Sequence, residues 1–335
     1  VVDQSGNIST CTTTVHVYDL EVPVITCPNG IETVTEEDVC TAVVNGIGLQ
    51  DVQDNCSVSI FYTITGATTA NGSNDASGTV FNKGTSTVTY VVSDGSGNTS
   101  NCSFDVEIED KQAPVLDCAE IVGFVRDNNW NECSYDVNGD EFDPSDFWDN
   151  CPGATIRNNY NNSASLDGET FPVGKTVVLW TVTDAGGNTT TCTSRIDIKD
   201  AQEPEITCPD PAVQQFVNDP NQCSKTILSN VLNPTFWDNC PGAKISHNYL
   251  TAPNTFTLAG ATFPVGTTVV VWTVKDAANN SETCSITVVV TDNQAPVFEN
   301  CPANITVGND VDKCGANVFF TAPVAEDNCS NETVA

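Results

Sequence analysis

The chain has 335 residues, 44 acidic against 11 basic side chains, and a formal charge of -33. Such a balance excludes nucleic acid as a partner, because phosphate binding needs basic patches, and suits solubility, mutual repulsion and divalent cations. No stretch approaches the ~20 apolar residues of a membrane span, so no membrane insertion is expected within the segment, and any export signal or anchor is expected outside it.

The cysteines set the frame. Cys27, Cys40, Cys56 and Cys102 recur as Cys118, Cys133, Cys151 and Cys192, then as Cys208, Cys223, Cys240 and Cys284. Cys301, Cys314 and Cys329 begin a further set, and Cys11 is the last beat of an earlier one. First-beat spacings of 91, 90 and 93 residues mark a tandem array of modules of roughly 90 residues. The expected divisions are 1–19 (C-terminal strands of a preceding repeat), 20–110, 111–200, 201–292, and 293–335 (the N-terminal part of a further module), within a longer chain. Sixteen cysteines without CxxC clusters point to disulfides in an oxidising compartment rather than to zinc.

Within a module the predicted elements are short strands. Phe171-Pro-Val-Gly174 and Phe263-Pro-Val-Gly266 read as turns, weakened to Phe81-Asn-Lys-Gly84 in the first module. The next strand carries Val88-x-Tyr90-x-Val92, Val178-x-Trp180-x-Val182 or Val270-x-Trp272-x-Val274, with the aromatic as core anchor. Asp94–Asn98, Asp184–Asn188 and Asp276–Asn280 are Asp/Gly/Asn-rich hairpin turns. The closing strand alternates, with Cys102, Phe104, Val106 and Ile108 on one face and Ser103, Asp105, Glu107 and Glu109 on the other, a period of two that marks a half-buried strand. Proline-containing linkers follow at 110–114, 200–204 and 292–296. Short strands with regular turn signals and no helical periodicity predict an all-β chain of antiparallel β-sandwich repeats, and stiff linkers an extended rod.

Catalysis is not expected. His16 and His247 are the only histidines. Neither recurs, Asn158 standing where His247 would repeat, and no nucleophile–base constellation accompanies them. Trp148 and Trp237 precede Asp-Asn-Cys in matching positions, where a tryptophan packs on a disulfide or stacks on a sugar ring.

The run Pro23-Val-x-x-Cys27-Pro, the Asp-Asn-Cys triplets, the Phe-Pro-Val-Gly turns, the Val178-x-Trp180-Thr-Val-x-Asp184 strand and the closing Cys284-x-Ile-x-Val288 strand resemble the hyalin repeat (HYR) family. The resemblance covers essentially the whole chain. It implies tandem immunoglobulin-like modules associated with extracellular adhesion, and hence a secreted, cell-surface location. Four cysteines per module further resemble arrays in large secreted Bacteroidetes surface proteins, including gliding-motility adhesins.

The resemblance also implies pairing of first and fourth cysteines, as Cys27–Cys102, Cys118–Cys192 and Cys208–Cys284. The middle pairs are then Cys40–Cys56, Cys133–Cys151, Cys223–Cys240 and Cys314–Cys329. A straight second strand would hold Cys40 and Cys56 apart, so this pairing requires a bulge or a short strand. Cys11 and Cys301 are expected to lack partners.

In that fold three acidic segments meet at each module's N-terminal end: the linker aspartates Asp19, Asp110, Asp200 and Asp292; the Asp-Asn-Cys aspartates Asp54, Asp149, Asp238 and Asp327; and the hairpin aspartates Asp94, Asp184 and Asp276. Calcium takes six to eight oxygens, so one ion is expected near each junction. The competing reading is that the aspartates cap turns without metal. The expected function is mechanical, a disulfide-stapled stalk or filament of a cell-surface adhesin whose partners are surface glycans or other cell-surface proteins. The alternative is a glycan- or ligand-binding array attached to a secreted enzyme.

Overall fold

The computed structural model describes residues 1–117, 123–250 and 255–329. Its residues form two compact units, one of Val1–Phe124, Asn138–Asp167 and Val177–Arg195, the other of Val125–Val137, Gly168–Thr176 and Ile196–Ala335. Among the described residues the only helical element is the 3-10 turn Asn230–Leu232, and the rest of the regular structure is strand.

In the first unit the first repeat builds a five-stranded sheet in the order Ile31–Val34, Thr99–Glu109, Gly84–Asp94, Val58–Gly66, Ala70–Ser73. The strand pair Gly84–Asp94 and Thr99–Glu109 is antiparallel and placed in register by the Asp94–Asn98 turn, with Tyr90 opposite Cys102. Ile31–Val34 runs parallel to the closing strand. Two antiparallel pairs make the other layer, Val24–Thr26 with Asp51–Gln53 and Thr41–Val44 with Thr79–Asn82. The alternation seen in sequence reaches into the core. Val88, Tyr90 and Val92 are completely buried, and Val88 and Tyr90 pack with Val106 and Phe81 against Ala42, Val44 and Ile64 from the neighbouring strands. Burial of each such large apolar side chain contributes about 1.5–3 kcal/mol. This unit also holds Thr155–Asn158 of the second repeat, paired with 180–183, and the buried Trp180, whose Nε1 donates to Ser194 Oγ at 3.0 Å.

In the second unit the third repeat repeats the plan. Val213–Val217, Ser281–Thr291, Gly266–Lys275 and Lys244–His247 form a sheet in that order. Glu205–Thr207 pairs with Thr235–Trp237, and Ser224–Thr226 with Thr262–Pro264. Its core gathers Ile227, Leu258, Phe263, Val270, Trp272, Ile286, Val288 and Val290. Ser134–Asp136 and Thr170–Pro172 of the second repeat pair in the same unit. Two facing β layers around one core make the first and the third repeat immunoglobulin-like β-sandwiches.

The flanking segments carry little regular structure among the described residues. Residues 1–19 carry only the isolated bridge Val2↔Ile8, and after Val297–Phe298 the only further strand among the described residues is Ala325–Glu326. A strand needs a paired neighbour to satisfy its backbone, and these segments have few.

The disulfides correct the expected middle pairs. Cys27–Cys102 and Cys208–Cys284 join first to fourth cysteines, with Cα atoms 6.0 and 5.9 Å apart. Cys118, the expected partner of Cys192, lies outside the described residues. The middle cysteines do not close within their repeats. Cys40 bonds Cys151, Cys133 bonds Cys240 and Cys223 bonds Cys329, at Cα separations of 4.7, 4.8 and 4.8 Å. Hence Cys40–Cys56, Cys133–Cys151, Cys223–Cys240 and Cys314–Cys329 do not form, and Cys56 and Cys314 are exposed and form no disulfide among the described residues, as are Cys11 and Cys301. The reason is the one the straight strand supplies. Cys40 precedes Thr41–Val44, which pairs with Thr79–Asn82, and the chain then runs through Asp51–Gln53, in a different strand pair, before it reaches Cys56. The second cysteine of one repeat meets the third cysteine of the next.

Candidate metal centre

Each junction is assembled from short backbone-locked segments. In the hairpin turn, Asp184 Oδ1 accepts from Asn188 N at 2.8 Å and its Oδ2 from Asn188 Nδ2 at 2.8 Å. Asn188 Nδ2 also donates to the carbonyl of Asp110 in the linker, at 3.0 Å. Asn280 does the same for Asp276 and Asp200, and Asn98 for Asp94 and Asp19. One asparagine thus ties the hairpin aspartate to the linker aspartate.

The Asp-Asn-Cys loop supplies the third side chain. Asp149 Oδ2 accepts from Cys151 N at 3.1 Å, and Asp238 Oδ2 from Cys240 N at 3.2 Å. The following asparagine docks on the preceding repeat. Asn150 Nδ2 donates to Val39 O at 3.2 Å, Asn239 Nδ2 to Glu132 O and Asn328 Nδ2 to Gln222 O at 2.9 Å each. In every case the acceptor carbonyl belongs to the residue before the partner cysteine. Asp38, Asn131 and Asn221, two residues before those cysteines, have left-handed φ of 61°, 62° and 60°. Each donates its backbone N–H to a linker glutamine, at 3.0 Å to Gln112, 2.8 Å to Gln202 and 2.9 Å to Gln294.

The result is a set of converging carboxylates. Asp110, Asp149 and Asp184 bring one oxygen each within 4.8 Å of one another, as do Asp200, Asp238 and Asp276. Asp292 and Asp327 gather with Cys329, whose sulfur is in a disulfide. Asp19 and Asp54 gather with the Cys56 thiol, while Asp94 stays outside that group and acts on Asp19 only through its charge. Asp110, Asp184, Asp200 and Asp276 are buried, at 5, 6, 8 and 6 % exposure.

Turn capping accounts for only part of this. One oxygen of Asp149 and one of Asp238 cap the cysteine N–H, but Asp149 Oδ1, Asp238 Oδ1 and Asp200 Oδ2 are buried with no hydrogen-bond donor. The same holds for Asn150 Oδ1 and Asn239 Oδ1. A buried oxygen without a partner costs about 1–3 kcal/mol, more when charged. Burial, with Asp200 and Asp276 beside it, holds the Asp238 carboxyl above the usual carboxylate range. Burial likewise raises Asp149, with Asp110 and Asp184 adding to the shift and Lys83 opposing it. Burial also pushes Asp184 upward, but the Asn188 donors outweigh it and the net shift is down. An all-oxygen, anionic, partly desolvated cluster fits a hard divalent cation such as calcium, and the residues present match that chemistry.

Other expected groups take plainer roles. His247 is buried; its Nδ1 accepts from Tyr249 N and its Nε2 contacts Thr257 O at 3.1 Å. Asn158 clamps the matching loop of the second repeat, so the two are structural equivalents. Trp148 and Trp237 lie on two- and three-residue strands and remain 45 and 47 % exposed, outside the cores. Reading the sequence missed the linker glutamine and the docking asparagine, although both recur in register as Asp110-x-Gln112, Asp200-x-Gln202 and Asp292-x-Gln294 beside the Asp-Asn-Cys triplets.

The chain is 31 % identical over 343 aligned residues to "Hyalin" of Lytechinus variegatus, covering 97 % of this chain and 58 % of that protein. It is 28 % identical to "Hyalin" of Strongylocentrotus purpuratus, covering 97 % of this chain and 26 % of the other. It therefore spans between a quarter and three fifths of these relatives. Both are metazoan and lend no support to the narrower resemblance to Bacteroidetes gliding adhesins. Among solved structures, mouse Cadherin-23 EC22-24 aligns over 81 % of this chain and 99 % of its own at 12 % identity and a TM-score of 0.33. The family model of the HYR domain matches residues 18–108, 109–198 and 199–290, and the chain belongs to the HYR domain family.

Proposed function

We propose that this chain is a non-catalytic repeat segment of an extracellular adhesion protein, in which a disulfide fastens each repeat to the next and a calcium ion reinforces it where the junction aspartates are otherwise unpaired, as at Asp200, Asp238 and Asp276. Five disulfides among the described residues support residence in an oxidising, secreted setting. Membership in the HYR family supports adhesion as the context. Among the described residues no helix is long and apolar enough to cross a membrane.

The observation that carries the reading is the coincidence of two fasteners at one place. Cys133–Cys240 joins consecutive repeats, and Asp238, two residues before Cys240, faces Asp200 and Asp276 with an unpaired buried oxygen. In the stalk reading, such junctions resist bending and pulling, so an adhesive surface is held at a fixed place.

Thermal unfolding of the whole chain under non-reducing conditions tests the ion. At calcium about a hundred times the Kd, each occupied site adds about 2.7 kcal/mol, so exchange into EGTA lowers Tm. Magnesium, smaller and demanding octahedral geometry, restores little of it. An unchanged Tm in EGTA refutes calcium and leaves disulfides and hydrogen bonds as the fasteners.

A further inference from the structure

The two complete aspartate trios each keep one unpaired loop oxygen, Asp149 Oδ1 or Asp238 Oδ1, and differ in what faces the linker aspartate. At the trio of Asp110, Asp149 and Asp184, the ammonium of Lys83 lies 3.1 Å from Asp110 Oδ2. Asp110's side chain is fully buried and Lys83's only 24 % exposed. At the trio of Asp200, Asp238 and Asp276, Asp200 Oδ2 is buried and has no donor at all.

The difference traces to the Phe-Pro-Val-Gly turn. Lys83, Val173 and Val265 occupy one backbone position, each donating its N–H to the carbonyl of the repeat's second cysteine: Lys83 to Cys40 at 3.2 Å, Val173 to Cys133 at 3.1 Å, Val265 to Cys223 at 3.2 Å. From that position a lysine side chain reaches the linker aspartate of its own repeat. A valine does not, and offers no charge. The weakened turn Phe81-Asn-Lys-Gly84 is therefore a substitution with an electrostatic consequence.

We infer that the Lys83 ammonium stands in for the divalent cation at the first trio, making that junction independent of metal, whereas the trio of Asp200, Asp238 and Asp276 requires an ion. Residue 83 and its counterparts then decide, repeat by repeat, which junctions respond to calcium. The inference rests on the calcium reading above. Lysine is a suitable substitute, being a compact point charge on a flexible stem. It supplies one charge where calcium supplies two, and it cannot dissociate when calcium is withdrawn.

The test is calcium titration by calorimetry on the whole oxidised chain in metal-stripped buffer, comparing wild type with Lys83→Val, Val173→Lys and the double swap. Lys83→Val binds one more calcium ion than wild type, and Val173→Lys one fewer. The double swap returns to the wild-type count. In EGTA, Lys83→Val melts below wild type and recovers when calcium is added. Lys83→Gln, which keeps the stem and loses the charge, behaves as Lys83→Val and guards against a packing defect. If wild type binds calcium and Asp238→Asn removes an ion, but neither Lys83 variant gains one, the inference is overturned and the calcium reading stands. If neither wild type nor the Lys83 variants bind calcium, both fall.

Discussion

Replacing Cys133 and Cys240 by serine together removes a cross-repeat disulfide without leaving a thiol to exchange. The pair closes a loop with a sequence separation of 107 residues. By chain entropy such a loop restrains the unfolded state by about 4.7 kcal/mol at 25 °C, against roughly 3 kcal/mol for the short loop that a Cys133–Cys151 bond would close. The Cα atoms stand 4.8 Å apart, inside the ordinary range for a disulfide. The double variant therefore loses about 4 kcal/mol or more in urea unfolding followed by tryptophan fluorescence. Trp237 lies three residues before Cys240 in the chain, and Trp272 lies in the core of the same repeat. Peptide mapping of the native chain without reductant supplies the direct check. Proteolysis yields a Cys133 peptide cross-linked to a Cys240 peptide. Recovery of Cys133 joined to Cys151 would refute the cross-repeat register, and with it the idea that neighbours are covalently fastened.

Three further outcomes follow from particular contacts. Asp238→Asn acts with opposite sign in the two calcium states. The raised folded-state pKa of Asp238 means that its charge opposes folding above the unfolded-state pKa, so in EGTA the variant melts at or above wild type, while in calcium it melts below. A lower Tm in both conditions would count against charge crowding in the trio. Tyr90→Phe removes a hydroxyl that donates to Ile47 O and accepts from Ala76 N, each at 2.9 Å in a fully buried site, and costs about 1–3 kcal/mol by chemical denaturation. His247→Asn places in the third repeat the side chain that clamps the same loop in the second, so its Tm stays close to wild type and its calcium response is unchanged; a large loss would show that the imidazole edge against Trp272, at 4.7 Å between ring centroids, supports the core.

The sandwich was legible because each of its signals is local. Alternation placed Val88, Tyr90 and Val92 on one face, and the structure buries all three completely. The Asp-x-x-x-Asn turns were read as hairpins and close by side-chain hydrogen bonds as such turns do. The expected topology puts linker, loop and hairpin aspartates at one end of a module; they gather as Asp110, Asp149 and Asp184 and as Asp200, Asp238 and Asp276, while Asp94 stays outside the group of Asp19 and Asp54. Legibility ended where one repeat touches the next. Cys40 carries no mark of whether it faces Cys56 or Cys151, since the four-beat spacing is identical under either register. Likewise Lys83 in place of Val173 reads as a degraded turn until the backbone shows both residues donating to the carbonyl of their repeat's second cysteine, with the Lys83 ammonium on Asp110.

The cross-repeat register changes what counts as a unit in this chain. Under the expected pairing every repeat would satisfy its own four cysteines and would be complete when alone. Under the observed pairing a repeat satisfies only its first and fourth, and its second and third look outward to different neighbours. Cys133 turns to Cys240 of the following repeat while Cys151 turns back to Cys40. The hydrogen bonds obey the same rule: Asn150 docks on Val39 and Asn239 on Glu132, each one residue from the bond it accompanies. The aspartate trios obey it too, since the linker aspartate leaves one repeat and the other two belong to the next. The contacts that cross from one repeat to the next, covalent, polar and electrostatic, all gather at the joint, while Cys27–Cys102 and Cys208–Cys284 remain within their repeats against the apolar cores. A protein selected for a stable single domain has no reason to place its second disulfide there, and one selected to keep successive domains in register has every reason to do so.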